Sequence, residues 1–151
     1  MQWSELAFNA LSVDELYEVM KLRVDIFVVE QNCPYPELDD KDRHPETRHI
    51  LGRNPLGDIV AYARVLAPGV SYPEVSIGRV AVAEQARGAG VAHQLMTESM
   101  TVARRHWPAE NIQLGGQEYL KSFYQKMGFE PVSEMYLEDG IPHLDMLFKR
   151  N

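Results

Sequence analysis

Apolar residues recur along the chain at two spacings, one typical of strands and the other typical of helices. Alternating or continuous β-branched runs predict strands over residues 3–8, 48–53, 58–66, 75–82, 112–114, 130–137 and 143–149. Apolar positions three or four residues apart predict helices that begin near residues 13, 91 and 117. The pattern therefore predicts strands and helices that are interleaved along the chain.

The ends of these elements carry typical start and stop residues. Ser12 followed by Glu15 predicts a capping box at the start of the first helix, and we expect that helix to end between residues 28 and 31. Pro108 stops the second helix, and Gly128 supplies a left-handed cap for the third. Turn-forming residues at 54–57 and 138–140 predict two hairpins.

A proline-rich loop of roughly a dozen residues follows the first helix, and its length suggests a binding role. The loop contains Asp39, Asp40 and Asp42, which lack the central Gly and final Glu of a calcium loop. We interpret them as a solvated acidic surface. Cys33, the single cysteine, has no activating neighbour in the sequence and is expected to be a small buried or loop residue.

The fourth strand changes its alternation part-way along. Val75 and Ile77 share one phase, whereas Val80 and Val82 share the other. One residue near positions 78–79 must therefore break the pleat, and a β-bulge explains the change.

Gly88 and Gly90 lie between this strand and the second helix. Glycines allow close backbone approach to a ligand, and the free N–H groups of the first helical turn point the same way. The helix dipole adds about half a positive charge, which favours a phosphate. A Walker-type loop is excluded because the chain has no Gly-Lys pair, and a dinucleotide fingerprint would need Gly or Ala where His93 stands.

Composition narrows the function classes. A chain of 151 residues with 45% hydrophobic and 25% charged residues fits one globular domain over residues 1–151. A net charge of -7 without a basic block argues against nucleic acid and favours a basic substrate. A single cysteine, no signal-peptide pattern and no apolar run of membrane-spanning length lead us to expect a cytoplasmic protein without membrane association.

The spacing Q-x-x-G-x-G at residues 85–90 resembles the pyrophosphate-binding motif of the GNAT superfamily of acyl-CoA-dependent N-acyltransferases. Residues 124–129 resemble the Y-x-x-x-G-F segment of that family, and residues 22–39 and 140–146 are similar to its ElaA-like branch. The resemblance implies the α/β (α+β) GNAT fold. In that fold a mixed sheet of six to seven strands is flanked by helices, with a bulge in the fourth strand and a splay between the fourth and fifth.

The resemblance also implies that acetyl-CoA is the co-substrate and that no metal is needed. The residues implied to bind it are Val80, Ala81, Val82, Gln85, Arg87, Gly88, Ala89, Gly90, Val91, Ala92, Gln117 and Tyr124. Gln117 stands where many relatives carry Asn. The chain shows no spacing typical of metal ligands.

Transfer of an acyl group from a thioester to an amine needs a proton donor for the thiolate and an acceptor for the amine proton. The resemblance implies Tyr124 as the donor. Glu74 is the first candidate for the base, because some GNAT members use a glutamate early in the fourth strand. Glu30, His49, His143 and Asp145 remain open as alternatives.

We therefore predict an acetyl-CoA-dependent N-acetyltransferase that transfers an acetyl group directly to a primary amine of a small molecule or peptide. Two alternatives remain, namely a non-catalytic acyl-CoA-binding sensor and an acyl-homoserine-lactone-synthase-like enzyme. The sequence leaves open the acceptor, the acyl chain and whether the chain forms a homodimer.

Overall fold

One mixed sheet of eight strands forms the centre of the computed structural model, which describes residues 1–150. The strands are β1 (Gln2–Leu6), β2 (Arg48–Arg53), β3 (Ile59–Leu66), β4 (Val75–Val82), β5 (Ile112–Gln117), β6 (Glu130–Pro131), β7 (Tyr136–Glu138) and β8 (Ile141–Phe148). Their order is β1-β2-β3-β4-β5-β8-β6, and β7 also pairs with β8. The β4–β5 pair is parallel and the other pairs are antiparallel, so the predicted mixed sheet is confirmed.

Three α-helices flank the sheet, α1 (Val13–Val24), α2 (Val91–His106) and α3 (Lys121–Lys126). The predicted capping box is present, since Ser12 and Glu15 each accept a backbone N–H from the other. A π-helical segment, Asp25–Glu30, continues α1, so the helical path ends where the sequence predicted. None of the helices in residues 1–150 is both long enough and apolar enough to cross a bilayer.

The sheet has an apolar core on each face. The α2 face holds Leu95 and Met96 of α2 together with Leu114, Phe129 and Met146. The opposite face, here called the α1 face, holds Val19 and Leu22 of α1 with Val60 and Tyr62 of β3. Because neighbouring residues of a strand point to opposite faces, each strand residue can be assigned to one of these two sides.

The predicted bulge and splay are both present in β4. The β3–β4 register shifts between the pairs Arg64↔Gly78 and Tyr62↔Ala81, and Arg79 at the bulge has a φ of +52°. β4 pairs with β5 only through Val75 and Ser76. Beyond Ser76 the two strands diverge, which leaves the β5-facing edge of β4 without a partner strand.

Several element boundaries differ from the prediction. α3 begins at Lys121 and not near residue 117, because Glu118–Leu120 forms a 3₁₀ turn, and β8 covers Ile141–Phe148 and not 143–149. The first strand ends at Leu6 because Phe8–Ala10 forms a 3₁₀ turn. β5 is longer than expected and includes Gly115, Gly116 and Gln117.

The predicted strand 130–137 is split into β6 and β7. Pro131 has no N–H for the sheet, Val132 N–H donates to the Asp145 carbonyl, and the Ser133 hydroxyl accepts the Asp145 N–H at 2.9 Å. These bonds replace regular pairing over residues 132–135. The last residue of the predicted domain, Asn151, lies outside the described residues.

Candidate active site

A cleft of about 740 Å³ opens where β4 and β5 diverge. The π-helical segment contributes Phe27 and Glu30 to its wall, while Gly115 and Gly116 of β5 form part of its floor. Gly115 is exposed although it lies in the middle of the sheet. The splay therefore opens a gap in the sheet between β4 and β5.

The predicted phosphate-binding loop lies at one edge of this cleft. Gly88 and Gly90 have φ values of +91° and +76°, in the left-handed region, and Gly90 is the N-cap of α2 without a side-chain cap. A Cβ at either glycine would meet no atom within 4 Å, so backbone conformation is the reason for glycine here. The uncapped first turn of α2 leaves N–H groups available to an anion.

Most of the residues assigned to acetyl-CoA line the cleft, namely Val80, Ala81, Val82, Arg87, Ala92, Gln117 and Tyr124. The others, Gln85, Gly88, Ala89, Gly90 and Val91, lie beside Arg87 and Ala92 at its rim and do not line it. In the first group, Val80, Ala81 and Val82 follow the unpaired edge of β4 and Gln117 ends β5, whereas the other three belong to the turn before α2, to α2 and to α3. The second group forms the turn that starts α2.

Arg87 links the rim to the π-helical segment. Its Nε donates to the Val82 carbonyl at 3.0 Å, and its Nη2 donates to Glu30 Oε1 at 3.0 Å. Both side chains of the ion pair are about two-fifths exposed. A ligand that binds the Val82 carbonyl or the Arg87 guanidinium would therefore replace one of these hydrogen bonds, which lie near the protein surface.

Tyr124 of α3 lies against β5 on the α2 face. The Gly116 position allows this, because a Cβ there would lie 2.8 Å from Tyr124 Cε2. Phe123 and Phe129 contact the ring edge-on. Burial, with a smaller contribution from Tyr119, raises the pKa of Tyr124 to about 12, so the phenol keeps its proton at neutral pH.

Polar residues of β8 face the opposite side of the gap. Asp145 Oδ1 accepts the Tyr136 hydroxyl at 2.7 Å and the Tyr72 hydroxyl at 3.4 Å. Both hydroxyls lie over Gly115, within 3.0 and 3.3 Å of where its Cβ would be. These side chains lie on the α1 face, since Leu144 and Met146 belong to the other core.

His143 is on the same face, opposite Gln117 at the end of β5. Its Nδ1 is 2.7 Å from the Ile141 carbonyl, its Nε2 is 3.4 Å from Glu138 Oε2, and its ring stacks on Tyr136. The imidazole is largely buried and lines the cleft. From the sequence alone, His143 is only one of several alternatives for the base.

Two of the other candidates for the base, Glu74 and His49, do not line the cleft. Glu74 precedes β4 at the closed end of the gap, does not line the cleft, and has a buried Oε1 without a hydrogen-bond partner among residues 1–150. His49 is fully buried between the Tyr62 hydroxyl and the Asp42 carbonyl. The assignment of Glu74 as the base therefore stays an untested prediction without support from its position.

A buried network of charges joins the proline-rich loop to the sheet. Arg23 contacts Glu37 and Asp42, with its Nη1 2.7 Å from Asp42 Oδ1. Arg64 binds Asp42 and forms a two-bond pair with Asp39 at 2.8 and 2.9 Å. The three carboxylates and three arginines, the third being Arg79, balance in charge.

The interpretation of the acidic loop as solvated was wrong for two of its three residues. Asp42 is buried and Asp39 is partly buried, whereas the Asp40 side chain is 82% exposed. Burial opposes ionisation of Asp42, but hydrogen bonds and charge from Arg23 and Arg64 lower its pKa overall. The arginine partners of these carboxylates lie far away in the sequence, so a local pattern could not reveal them. The signal that the sequence offered was the presence of arginines within apolar helix and strand segments, where a buried charge needs a partner.

Comparison with known proteins identifies the family. Residues 43–150 match the model of an acetyltransferase (GNAT) domain. Protein ElaA of Escherichia coli strain K12 is 46% identical over 147 residues, which cover 97% of this chain and 95% of that protein. The chain belongs to the GNAT acetyltransferase family.

Two crystal structures support the same assignment. Escherichia coli ElaA has a TM-score of 0.92 at 44% identity, with 98% of this chain and 99% of the other covered. An acyl-CoA N-acyltransferase from Pseudomonas aeruginosa has a TM-score of 0.92 at 38% identity, with 99% and 100% covered. This GNAT chain is therefore an acyltransferase of the N-acetyltransferase group, and its predicted likeness to the ElaA-like branch is confirmed.

Proposed function

We propose that this GNAT protein binds acetyl-CoA in the β4–β5 cleft and transfers the acetyl group directly to a primary amine of a small molecule or peptide. The observation that carries the proposal is the divergence of β4 from β5 next to the uncapped start of α2. This arrangement supplies strand amides and carbonyls without a partner strand for an extended arm, and helix N–H groups for a diphosphate.

The residues proposed to hold acetyl-CoA divide between these two parts. The backbone of Val80, Ala81 and Val82 is proposed to pair with the pantetheine arm. Arg87 and the turn from Gly88 to Ala92 are proposed to hold the diphosphate, with Gln85 beside them and Gln117 at the far side of the cleft. The ion pair of Arg87 with Glu30 is expected to exchange for phosphate contacts.

The chemistry follows from the position of Tyr124. The amine nitrogen attacks the thioester carbonyl, the carbon–sulfur bond breaks, and the departing thiolate receives a hydrogen bond from the Tyr124 phenol. The amine loses one proton to a base, and the thiolate takes up one proton from water while the Tyr124 phenol keeps its own, so the products are the N-acetylated amine and CoA. Holding both reactants together lowers the activation barrier by on the order of 7 kcal/mol or more.

The proposal is tested by incubating the purified protein with acetyl-CoA and a panel of primary amines and measuring free thiol and acetylated product. We expect thiol release that depends on an amine and matches the acetylated product. Thermal stabilisation by CoA without thiol release from any amine would instead support the sensor. Product formed only from an acyl-carrier donor and S-adenosylmethionine would support the lactone-synthase-like enzyme.

A further inference from the structure

We propose that His143 accepts the proton that the acceptor amine loses during transfer, an inference that rests on the proposed function. Tyr124 and His143 lie beside two consecutive residues of β5, but on opposite faces of the sheet. The Tyr124 ring lies against Gly116, which pairs with Leu144, whereas His143 pairs with the next residue, Gln117. A thioester in the gap would thus have its sulfur near Tyr124 and its other face open to an amine beside His143.

The local hydrogen bonds prepare His143 for this role. The Ile141 carbonyl can only accept, so the 2.7 Å contact requires the hydrogen of the neutral ring to be on Nδ1. The lone pair is then on Nε2, which is the nitrogen that must accept a proton. Stacking on Tyr136 holds the plane of the ring.

Glu138 completes the arrangement. Its Oε2 is 3.4 Å from His143 Nε2, so protonation of the ring creates an ion pair. The Glu138 side chain is 58% exposed, whereas that of His143 is 10% exposed. The proton taken from the amine can therefore pass from Nε2 to solvent beside Glu138, which returns the ring to its neutral form.

The alternatives fit less well. Asp145, two residues along the same face, uses Oδ1 to hold the Tyr136 and Tyr72 hydroxyls. Glu30 pairs with Arg87 at the diphosphate edge. The groups that face His143 are thus Glu138 and Tyr136 of β7, Gln117 of β5, and Asp145 beyond Tyr136.

The test compares His143→Asn with the wild type over a range of pH, following thiol release at saturating acetyl-CoA. Asparagine can still donate to the Ile141 carbonyl but has no basic nitrogen. We expect kcat/KM near neutral pH to fall on the order of 10²-fold, with the deficit shrinking as the pH approaches the pKa of the free amine. Binding of CoA, measured by calorimetry, should not change.

Chemical rescue separates proton transfer from a purely structural role. We expect added imidazole to restore part of the activity of His143→Ala. Glu138→Gln, which keeps the imidazole, should cause a smaller decrease at neutral pH and serves as the second variant if His143 substitutions do not fold. The matched control is His106→Asn, because His106 also contacts a carboxylate, that of Glu5, but lies outside the cleft.

A pH profile of His143→Asn parallel to that of the wild type, or a uniform loss without imidazole rescue, would overturn the role of His143 while leaving acetyl transfer by the wild type intact. If Glu138→Gln alone can be studied, wild-type activity and pH profile in that variant would overturn it. Failure of the wild type to acetylate any amine would reject the proposed function itself and this inference with it.

Discussion

Tyr124 combines a buried aromatic ring with a place in the wall of the cleft. Its pKa of about 12 lies above the roughly 8.5 of a reference thiol. The phenol is therefore better suited to hydrogen bonding with a departing thiolate than to complete proton transfer. We expect Tyr124→Phe to lower kcat by about 10²-fold, the typical effect of removing one hydrogen-bond donor to a charge that develops in the transition state, and to leave CoA affinity unchanged, because the ring and its packing remain.

Tyr17→Phe is the matched control for this prediction, since Tyr17 is 71% exposed on α1. Steady-state thiol release and CoA titration should be measured for both variants. Equal turnover in the two variants would remove Tyr124 from the mechanism. Because Tyr124 stays protonated until the pH nears 12, the wild type should show no alkaline loss of activity from this group at lower pH.

Single residues were predictable where the local sequence determines their conformation. Gly88, Gly90 and Gly128 have positive φ values, as expected for a loop before a helix and for a helix cap. The burial of Asp42 and the grouping of Tyr72 with Asp145 were not predicted. These contacts join positions that are distant in the sequence, and only the folded sheet brings them together.

The bulge in β4 could be anticipated because the alternation of apolar residues reverses within the strand, and the splay between β4 and β5 was implied by the family resemblance. The contacts that hold the bulge in place could not be predicted from the sequence. Arg79 at the bulge donates to Glu37 Oε2 at 3.0 Å and to the Glu37 carbonyl at 3.1 Å, which fixes the bulge against the proline-rich loop. Boundaries were least predictable where irregular bonds replace regular ones, as in residues 132–135.

The turn before α2 makes a prediction at the scale of an element. Alanine at Gly88 or Gly90 would have space but would strain a left-handed backbone by about 1–2 kcal/mol. The turn can relieve that strain by moving its N–H groups. We expect either substitution to weaken CoA binding about 10-fold or more, equivalent to about 1.4 kcal/mol, as measured by calorimetry.

Gly57→Ala controls for the strain itself. Gly57 also has a positive φ, +87°, and open space, but it lies in the β2–β3 hairpin outside the cleft. The melting temperature of the Gly57→Ala variant should fall by about as much as that of the Gly88→Ala variant, while its CoA affinity stays at the wild-type value. A Gly88→Ala variant that bound CoA as tightly as Gly57→Ala would argue against diphosphate binding at this turn.

At the scale of the molecule, the charge network connects α1, the proline-rich loop, β3 and the β4 bulge. The family resemblance led to the correct fold class because its two motifs lie in the expected order along the chain. The same resemblance could not reveal how the loop after α1 is held, since three arginines and three carboxylates from separate segments meet only in the folded state. The single-domain interpretation over residues 1–151 stays a prediction.

This network makes the stability of the whole chain sensitive to one side chain. The Arg23 side chain is fully buried, and its removal would leave carboxylates of Glu37 and Asp42 without a principal partner. We expect Arg23→Met to lower the free energy of unfolding by about 3–5 kcal/mol, measured by urea denaturation near pH 7. Lys21→Met, which removes an exposed pair with Asp25, should cost less than about 1 kcal/mol.

The difference between Arg23→Met and the wild type should depend on pH. The pKa of Asp42 is lower in the native protein than in the unfolded chain, so its ionised form stabilises the fold above the unfolded value of about 3.9. That contribution is lost as the pH falls through the lower native pKa, because the carboxyl is then protonated in both states. The stability gap between the two proteins should therefore narrow below about pH 4, whereas a gap that stayed constant would mean that Arg23 acts through packing and not through charge.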